Sequence, residues 1–259
     1  MGVSRRRLRE TFEEVPELYD RARPTYPAEL FDDLVALAGL APGARILELG
    51  PGTGKATLPL AERGFNVVGV ELGAGLASVA RRNLADFPDV EIVTVPFERW
   101  QTEARFDAVV AFTAFHWIDP EARYEKSARL LRDNCSLAVV STKHVLPEDG
   151  DPFWTEVQED YDAVVPSDEN RPPQRPDEIP DLREEIEASG RFRAVAVRRY
   201  LQDTPYTADE YIAVLDTYSG HRSIPEDRRL ELYRRIHARI GARTVRKTYL
   251  FILNVAQRL

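Results

Sequence analysis

The chain has 259 residues, of which 43% are hydrophobic, so it can bury a full core and is not a peptide-sized scaffold. It carries 43 acidic and 35 basic residues, and the resulting formal charge of -8 argues against a protein that binds nucleic acid by coating its phosphates. Its single cysteine, Cys135, excludes an intramolecular disulfide and any metal site built from several cysteines.

The sequence predicts a soluble protein of a reducing compartment, which we expect to be the cytoplasm. A basic run from Arg5 to Arg9 is followed by Glu13 and Glu14 and not by an apolar stretch, so no secretory signal is predicted. No segment approaches the roughly 18 apolar residues that a membrane span needs.

Between residues 28 and 145 helical and strand-like patterns alternate. The predicted strands are Arg45–Leu49, Asn66–Glu71, Val90–Val95, Phe106–Phe112 and Ser136–Ser141, and the predicted helices are Ala28–Leu40, Lys55–Arg63, Ala74–Leu84 and Glu121–Arg132. Strands that are apolar on both faces and separated by helices indicate an α/β fold with a doubly wound, mostly parallel sheet. In such sheets ligands bind beyond the carboxyl ends of the strands, so the chemistry is expected there.

The second half of the chain has a different composition. The segment Pro147–Glu187 is acidic and rich in proline, with a predicted amphipathic helix at Phe153–Val165 and a long solvated loop at Ser167–Pro180. The remaining predicted elements are a strand at Phe192–Tyr200, helices at Ala208–Tyr218 and Glu226–Ile240, and a terminal strand at Thr248–Ala256.

The most informative segment is a glycine loop, Gly50-Pro51-Gly52-Thr53-Gly54, which lies between a predicted strand and a predicted helix. A Walker A loop needs four residues between its first glycine and Gly-Lys and then Ser or Thr, but here three residues intervene and Ala56 follows Lys55. A dinucleotide fingerprint would place its third glycine where Lys55 stands, which weakens that interpretation without excluding it.

A third interpretation includes the acid before the loop. Glu48, Gly50, Gly52 and Gly54 form an acid-x-Gly-x-Gly-x-Gly pattern that resembles motif I of the class I S-adenosylmethionine-dependent methyltransferases. The resemblance implies a Rossmann-like sheet of seven strands in the order 3-2-1-4-5-7-6 with the last strand antiparallel. It also implies that Thr53 and the loop contact S-adenosylmethionine, with S-adenosylhomocysteine as the product.

Further positions carry the same resemblance. Glu71 ends the second predicted strand, where a carboxylate can accept both hydroxyls of a ribose. The resemblance implies a cofactor contact from Leu72, the next residue, as well. The turn after the third strand contacts adenine in this family, which implies Phe97 as a ring wall and Glu98 as an acceptor for the amine. The segment Tyr19–Pro27 resembles the family's entry segment, and this implies cofactor contacts from Tyr19 and Arg23 and a substrate contact from Tyr26.

The fourth strand and its end, Phe106–Pro120, contain Phe-Asp and His-Trp and resemble the small-molecule branch of this family, of the trans-aconitate methyltransferase type. This implies that Phe112 and Thr113 contact the cofactor. The expected substrate residues are Phe115, His116 and Trp117 after the strand, and Tyr211, Tyr218 and His221 in a helical insertion that covers the substrate. His116 and His144 are the candidate catalytic bases, because a histidine suits proton removal near neutral pH.

The resemblance implies four regions along the chain. These are an arm and helix over the cofactor (residues 1–40), a cofactor-binding α/β core (41–146), an acidic loop and helix segment (147–190), and C-terminal strands with a helical substrate cap (191–259).

The predicted function is transfer of a methyl group from S-adenosylmethionine to a small molecule by in-line displacement. The segment after the fourth strand lacks the Asn/Asp-Pro-Pro-Tyr motif that is typical of amino methylation on nucleic-acid bases. Carbon methylation of cytosine needs a cysteine nucleophile, and Cys135 lies instead in the turn before the fifth predicted strand. A non-methylating protein that binds the same cofactor on the same fold stays open as an alternative, and an NAD-type oxidoreductase is a weaker one. We expect no metal, no nucleic acid, no membrane, and a monomer or homodimer.

Overall fold

The structure is a computed structural model that describes residues 15–167 and 170–259. The basic run at Arg5 to Arg9 and the beginning of the predicted arm lie outside the described residues. None of the helices in the described part is both long and apolar enough to cross a membrane.

Seven strands form one mixed sheet in the order β3-β2-β1-β4-β5-β7-β6, as predicted. The strands are β1 (Arg45–Leu49), β2 (Asn66–Glu71), β3 (Val90–Thr94), β4 (Phe106–Phe112), β5 (Leu131–Val145), β6 (Phe192–Tyr206) and β7 (Val245–Arg258). Pairing is parallel from β3 through β5, with Ile46 of β1 opposite Val67 of β2 on one side and Ala108 of β4 on the other. The last strands are antiparallel, which confirms the predicted fold class.

The helices are α1 (Pro16–Ala22), α2 (Ala28–Ala38), α3 (Thr57–Glu62), α4 (Ala74–Asn83), α5 (Pro120–Leu130), α6 (Phe153–Glu156), α7 (Gln158–Val164), α8 (Arg183–Ala188), α9 (Ala208–Leu215), α10 (Ser219–Arg222) and α11 (Glu226–Ile240). Short 3₁₀ turns lie at Phe115–Trp117 and Pro176–Glu178. The ends of several helices have clear local causes. Asp119 caps α5 by accepting from the amide of Glu121 at 3.0 Å, and Thr207 and Glu210 form a capping box on α9.

The chain divides into two compact units. The sheet unit comprises residues 25–142, 181–200 and 251–259, and its core is made of apolar side chains from β1, β4 and β5 such as Leu47, Val109 and Leu137, all fully buried. The aromatic unit comprises residues 15–24, 143–180 and 201–250. It holds seven of the chain's 10 tyrosines and three of its 4 histidines.

Candidate functional site

The glycine loop follows β1 and has the backbone that its three glycines allow. Gly50, Gly52 and Gly54 have φ values of 69°, 61° and 90°, in the left-handed region that side chains rarely adopt. A Cβ atom on Gly50 would meet the Cβ of Ala114 at 2.7 Å, so this position has no room for a side chain. The amide of Gly50 donates to the carbonyl of Val70 at 2.9 Å, which ties the loop to β2. The loop therefore needs glycine for both its conformation and its close contact.

Glu48 lies on β1 directly under this loop and is fully buried. Its Oε2 accepts from the hydroxyl of Thr57 at 2.7 Å, while its Oε1 has no partner among the described residues. Burial raises the pKa of Glu48 to about 7, the nearby charge of Glu71 adds to this effect, and the Thr57 hydrogen bond opposes it. A buried carboxylate oxygen without a hydrogen-bond donor is energetically unfavourable, and a ligand that donates a hydrogen bond from a positively charged group would remove this penalty.

Glu71 ends β2 as predicted and is nearly buried, with 7% of its surface exposed. Its Oε2 accepts from the amide of Gly52 at 2.8 Å, and its Oε1 accepts from the amide of Gly73 at 2.8 Å. A carboxylate has about four acceptor positions, so each oxygen keeps capacity for a further donor such as a ribose hydroxyl. The acid thus holds the loop in place and faces the same end of the sheet.

The loop region fits a cation with hydroxyl groups better than a phosphate. Glu48 and Glu71 place two carboxylates beside the loop, and Thr53 adds a buried hydroxyl without a partner among the described residues. Two carboxylates disfavour a phosphate, whereas the ammonium, sulfonium and ribose of S-adenosylmethionine match acceptor oxygens. The residues present therefore fit the expected cofactor.

The turn after β3 is fixed from beneath by a lysine. The ammonium of Lys126 on α5 donates to the carbonyls of Phe97 at 2.5 Å and Glu98 at 3.3 Å, and also to that of Trp100. It lies 4.8 Å from the centre of the Phe97 ring, which is itself only 5% exposed. The side chain of Glu98 accepts from the amide of Asp119 at 3.3 Å. Lys126 therefore holds the predicted adenine turn in one conformation, with Phe97 packed into the core.

A hydroxyl chain marks the carboxyl end of β4. Thr113 has a φ of 57°, which is strained for a residue with a side chain. Its hydroxyl lies 3.1 Å from the Tyr26 hydroxyl and 2.8 Å from that of Thr142. The Tyr26 ring packs edge-on against Phe112 at 5.0 Å. The structure therefore brings together Tyr26, Phe112 and Thr113, three of the predicted site residues, beside Ala114, the residue that closes on Gly50.

The 3₁₀ turn that follows places the His-Trp pair at the same end of β4. Phe115 is buried and packs edge-on against Tyr124 at 5.1 Å, so it belongs to the core. His116 is exposed, and its ring lies 4.8 Å from that of the half-buried Trp117. The exposed position leaves His116 accessible to a ligand.

Leu72, the predicted cofactor residue that follows β2, is half-buried.

The aromatic unit contains the other predicted residues. The guanidinium of Arg23 lies over the Tyr218 ring at 4.1 Å and over the Tyr19 ring at 5.1 Å, and it donates to the carbonyl of Thr217 at 3.0 Å. Tyr211 is buried against Trp154, with ring centres 5.2 Å apart. Here Arg23 contacts Tyr218 of the predicted substrate cap, and Tyr19 lies beside Arg23.

Two histidines of the aromatic unit, His144 and His221, are held in the neutral form. Burial, reinforced by the charge of Lys247, lowers the pKa of His144 to about 2, and its ring packs edge-on against Trp154 at 4.2 Å. Burial, with Lys247 and Arg23, lowers the pKa of His221 to about 4, and its Nε2 lies 2.9 Å from the Tyr161 hydroxyl. An imidazole with such a low pKa binds a proton weakly, so neither ring is well tuned as a base near neutral pH.

Sequence reasoning missed several residues that the structure places at these sites. Lys126 supports the turn after β3, and Thr57 donates a hydrogen bond to Glu48. In the aromatic unit, Lys247 and Tyr249 lie beside Tyr218. One signal was available: Arg246 and Lys247 are adjacent in the predominantly apolar segment 245–256, and because neighbouring side chains of a strand point to opposite faces, one of the two charges must face the core, where a charged residue is unexpected unless it has a partner. The predicted strand began at Thr248 and so left both out.

Comparisons with known proteins find methyltransferases. Residues 46–134 match the family model of the methyltransferase domain. An uncharacterized methyltransferase of Mycobacterium tuberculosis is 36% identical over 140 residues, which are 54% of this chain and 55% of that protein. The chain thus spans about half the length of the curated relatives that it matches first.

Solved structures show the same fold. A putative type II methyltransferase from Anaeromyxobacter dehalogenans has a TM-score of 0.59 and 24% identity, over 90% of this chain and 97% of that one. A methyltransferase from Thiobacillus denitrificans, solved with S-adenosylhomocysteine, has a TM-score of 0.52 and 16% identity, over 98% of this chain and 99% of that one.

Proposed function

We propose that this chain is a class I methyltransferase, which transfers a methyl group from S-adenosylmethionine to a small-molecule acceptor. The observation that carries the proposal is the buried carboxylate of Glu48, whose Oε1 lacks a partner among the described residues beneath a glycine loop that admits no side chain at Gly50. When bound, the cofactor supplies a methyl group on a sulfonium, from which a neutral thioether leaves.

Each residue of the loop region has a distinct task in this proposal. Glu48 accepts from the ammonium of the cofactor's methionine part, and Glu71 accepts from its ribose hydroxyls while holding the amides of Gly52 and Gly73. Lys126 keeps the adenine turn in its bound shape. Because the leaving group is neutral, the protein's main contribution is to position the reactants and to take a proton from a protonated acceptor.

The acceptor is proposed to be a small molecule that enters beyond the end of β4. His116 and Trp117 remain proposed substrate contacts there, since His116 is exposed and Trp117 half-buried. The fourth strand is followed by Thr113 and Ala114 and not by the Asn/Asp-Pro-Pro-Tyr motif, so methylation of a nucleic-acid base is not part of the proposal.

The test is to incubate the purified chain with S-adenosylmethionine and panels of small carboxylic acids, phenols and amines, and to measure S-adenosylhomocysteine together with the methylated product. Activity that depends on one acceptor and is lost in Gly50→Ala supports the proposal. If the chain binds the cofactor but methylates no member of any panel, the non-methylating alternative replaces it.

A further inference from the structure

The aromatic unit contains two basic side chains that have no carboxylate partner, and both lie beside the same phenol ring. Arg23 directly follows α1, and Lys247 lies on β7. The guanidinium of Arg23 lies 4.1 Å from the centre of the Tyr218 ring, and the ammonium of Lys247 lies 5.1 Å from it. Neither side chain forms an ion pair with an aspartate or glutamate in the described parts of the chain. We call Arg23, Lys247 and Tyr218 the two-cation site.

Lys247 is the more buried of the two basic residues, and most of its hydrogen-bonding capacity is unused. Only 2% of its surface is exposed. An ammonium has three donor hydrogens, but within the described residues Nζ donates only to the Tyr218 hydroxyl oxygen, at 3.1 Å. A buried ammonium with two unused donors is unfavourable unless an acceptor of opposite charge completes it.

Aromatic rings surround this ammonium. Four rings have their centres between 5.1 and 5.5 Å from Nζ, those of Trp154, Tyr211, Tyr218 and Tyr249. The faces of such rings attract a cation, but they do not replace the strong hydrogen bonds that an ammonium forms in water. They also present apolar surface on which the hydrocarbon part of a ligand can pack.

Arg23 supplies a second positive charge and a further unsatisfied donor. Its Nη2 donates to the carbonyl of Thr217 at 3.0 Å, which fixes the position of the guanidinium. Its Nε is buried and has no partner among the described residues. The guanidinium stays charged in a protein, whereas burial lowers the pKa of Lys247. An anion that accepts from both side chains would satisfy Nε of Arg23 and keep Lys247 charged.

A third unsatisfied group contacts one of the surrounding rings. The Nε2 of His144 is buried without a partner in the described part of the chain, and its ring lies 4.2 Å from that of Trp154. With its pKa lowered to about 2, mainly by burial and further by Lys247, His144 is neutral and can donate from Nε2 in one tautomer. Arg23, His144 and Tyr218 are half-buried, so the region is not sealed from solvent.

We propose that the aromatic unit binds a small organic carboxylate, whose oxygens accept hydrogen bonds from Nζ of Lys247 and Nε of Arg23. The apolar part of the ligand packs on the rings around Lys247. A carboxylate carries one negative charge on two oxygens, so one group can accept from both side chains. A phosphate dianion fits less well, because the cost of taking an ion out of water rises with the square of its charge.

The two-cation site is a binding site of the aromatic unit by itself, so its test does not use methyl transfer. Calorimetric titration of the whole chain at neutral pH should show saturable binding of benzoate, one molecule per chain. Benzamide has the same shape without the charge and should bind about 10- to 100-fold more weakly. Acetate and phenyl phosphate, which lack the ring and carry the larger charge respectively, should also bind more weakly than benzoate.

Two variants locate the ligand. Lys247→Met keeps a long apolar side chain and removes the charge, and Arg23→Gln removes the second charge; each should weaken benzoate binding by about 10- to 100-fold. The matched control is Arg246→Gln on the same strand. It removes the same charge, but Arg246 already pairs with Asp203 at 3.3 Å and with Asp149 at 3.5 Å, so benzoate binding should not change.

Stability without ligand separates a binding role of Lys247 from a structural one. If its ammonium needs an anion, Lys247→Met should raise the free energy of unfolding. Benzoate should raise the thermal midpoint of the wild-type chain and leave that of the variant unchanged. A variant that is destabilised and binds benzoate as tightly as wild type would show a structural lysine and overturn the proposal. Arg23→Gln keeps the test decisive should Lys247→Met fail to fold.

Other results would also overturn it. A wild-type chain that binds neither acetate nor benzoate has no carboxylate site. Benzamide that binds as tightly as benzoate would show an apolar pocket, and preference for phenyl phosphate would show a phosphate site. An equal loss of benzoate affinity in Arg246→Gln would show that overall charge, and not the two-cation site, attracts the ligand. The proposed methyl transfer stands or falls separately, since none of these measurements depends on it.

Discussion

The sheet unit and the aromatic unit each bury charge without a full complement of partners, but with opposite signs. In the sheet unit, Glu48 and Glu71 lie beside the glycine loop, and burial raises the pKa of Glu48 to about 7. In the aromatic unit, Arg23 and Lys247 surround Tyr218. Uncompensated buried charge is unfavourable in a structural role, so each unit holds a feature that a ligand or a proton would complete. The first favours a cation with hydroxyl groups, and the second favours a negative charge.

Breaking the shape of the loop should have the largest effect. Gly50→Ala should lower the free energy of unfolding by about 2 to 5 kcal/mol, because it adds left-handed strain and overpacks against Ala114. It should also weaken binding of S-adenosylhomocysteine, as measured by calorimetry.

The matched control is Gly64→Ala. Gly64 has a φ of 78° but no atom within 4 Å of an added Cβ, so it carries the strain without the contact. We expect a loss of only about 1 to 2 kcal/mol and unchanged cofactor binding. Equal binding defects in both variants would show that the close contact at Gly50 does not shape the site.

Replacing a buried, paired carboxylate by its neutral amide should lower the free energy of unfolding, whereas the same change at Glu48, one of whose oxygens lacks a partner among the described residues, should raise it. Asp160 in the aromatic unit is 5% exposed and accepts from the Nε of Arg239 at 2.5 Å. Asp160→Asn should therefore lower the free energy of unfolding by about 3 kcal/mol, as measured by urea denaturation at pH 8. A stabilised variant would contradict the distinction between paired and unpaired buried acids.

In the absence of a ligand, Glu48→Gln should raise the free energy of unfolding. The pKa of Glu48 is about 7 in the folded protein and 4.5 in the reference state, so the folded chain binds this proton more tightly. Its contribution to stability is complete below pH 4.5 and is lost as the pH rises through 7. A neutral glutamine should thus raise the free energy of unfolding by up to about 3 kcal/mol at pH 8 and by little at pH 4.5.

The same variant should weaken the binding of S-adenosylhomocysteine, because the ammonium loses a charged acceptor. Denaturation at the two pH values and calorimetry at pH 8 check both effects. A variant that is stabilised and binds as tightly as wild type would remove Glu48 from the cofactor site.

The smallest effect is expected from the hydroxyl chain at β4. Tyr26→Phe removes the hydrogen bond to Thr113 but keeps the ring that packs on Phe112, so it should cost about 1 kcal/mol of stability. The change would be measured by thermal unfolding. A much larger loss would show that this hydroxyl holds the strained Thr113 in place.

The sequence allowed the sheet to be predicted well where strands are apolar on both faces. β1, β2 and β4 begin and end at the predicted residues, since a buried parallel strand leaves a continuous apolar run. β5 is longer than predicted and begins at Leu131, because Arg132, Asp133 and Asn134 interrupt the apolar pattern although the backbone continues as a strand. The predicted helix at Phe153–Val165 is two helices that meet at Val157.

The candidate sites were predictable only in part. The positions of Glu48, Glu71 and the glycines follow from a motif at the end of adjacent strands, and such local order is visible in a sequence. The contact between Lys247 and Tyr218 joins residues 29 positions apart on different elements, which no local pattern reveals. The trans-aconitate type and the substrate residues stay predictions.

The most direct test of the central claim is calorimetric titration of the wild-type chain with S-adenosylhomocysteine and, in parallel, with NADH. Glu48 and Glu71 predict saturable binding of S-adenosylhomocysteine, and Lys55, which stands where a dinucleotide loop has its third glycine, predicts weaker binding of NADH. Tighter binding of NADH, or binding of S-adenosylhomocysteine that Gly50→Ala leaves intact, would contradict this account of the loop.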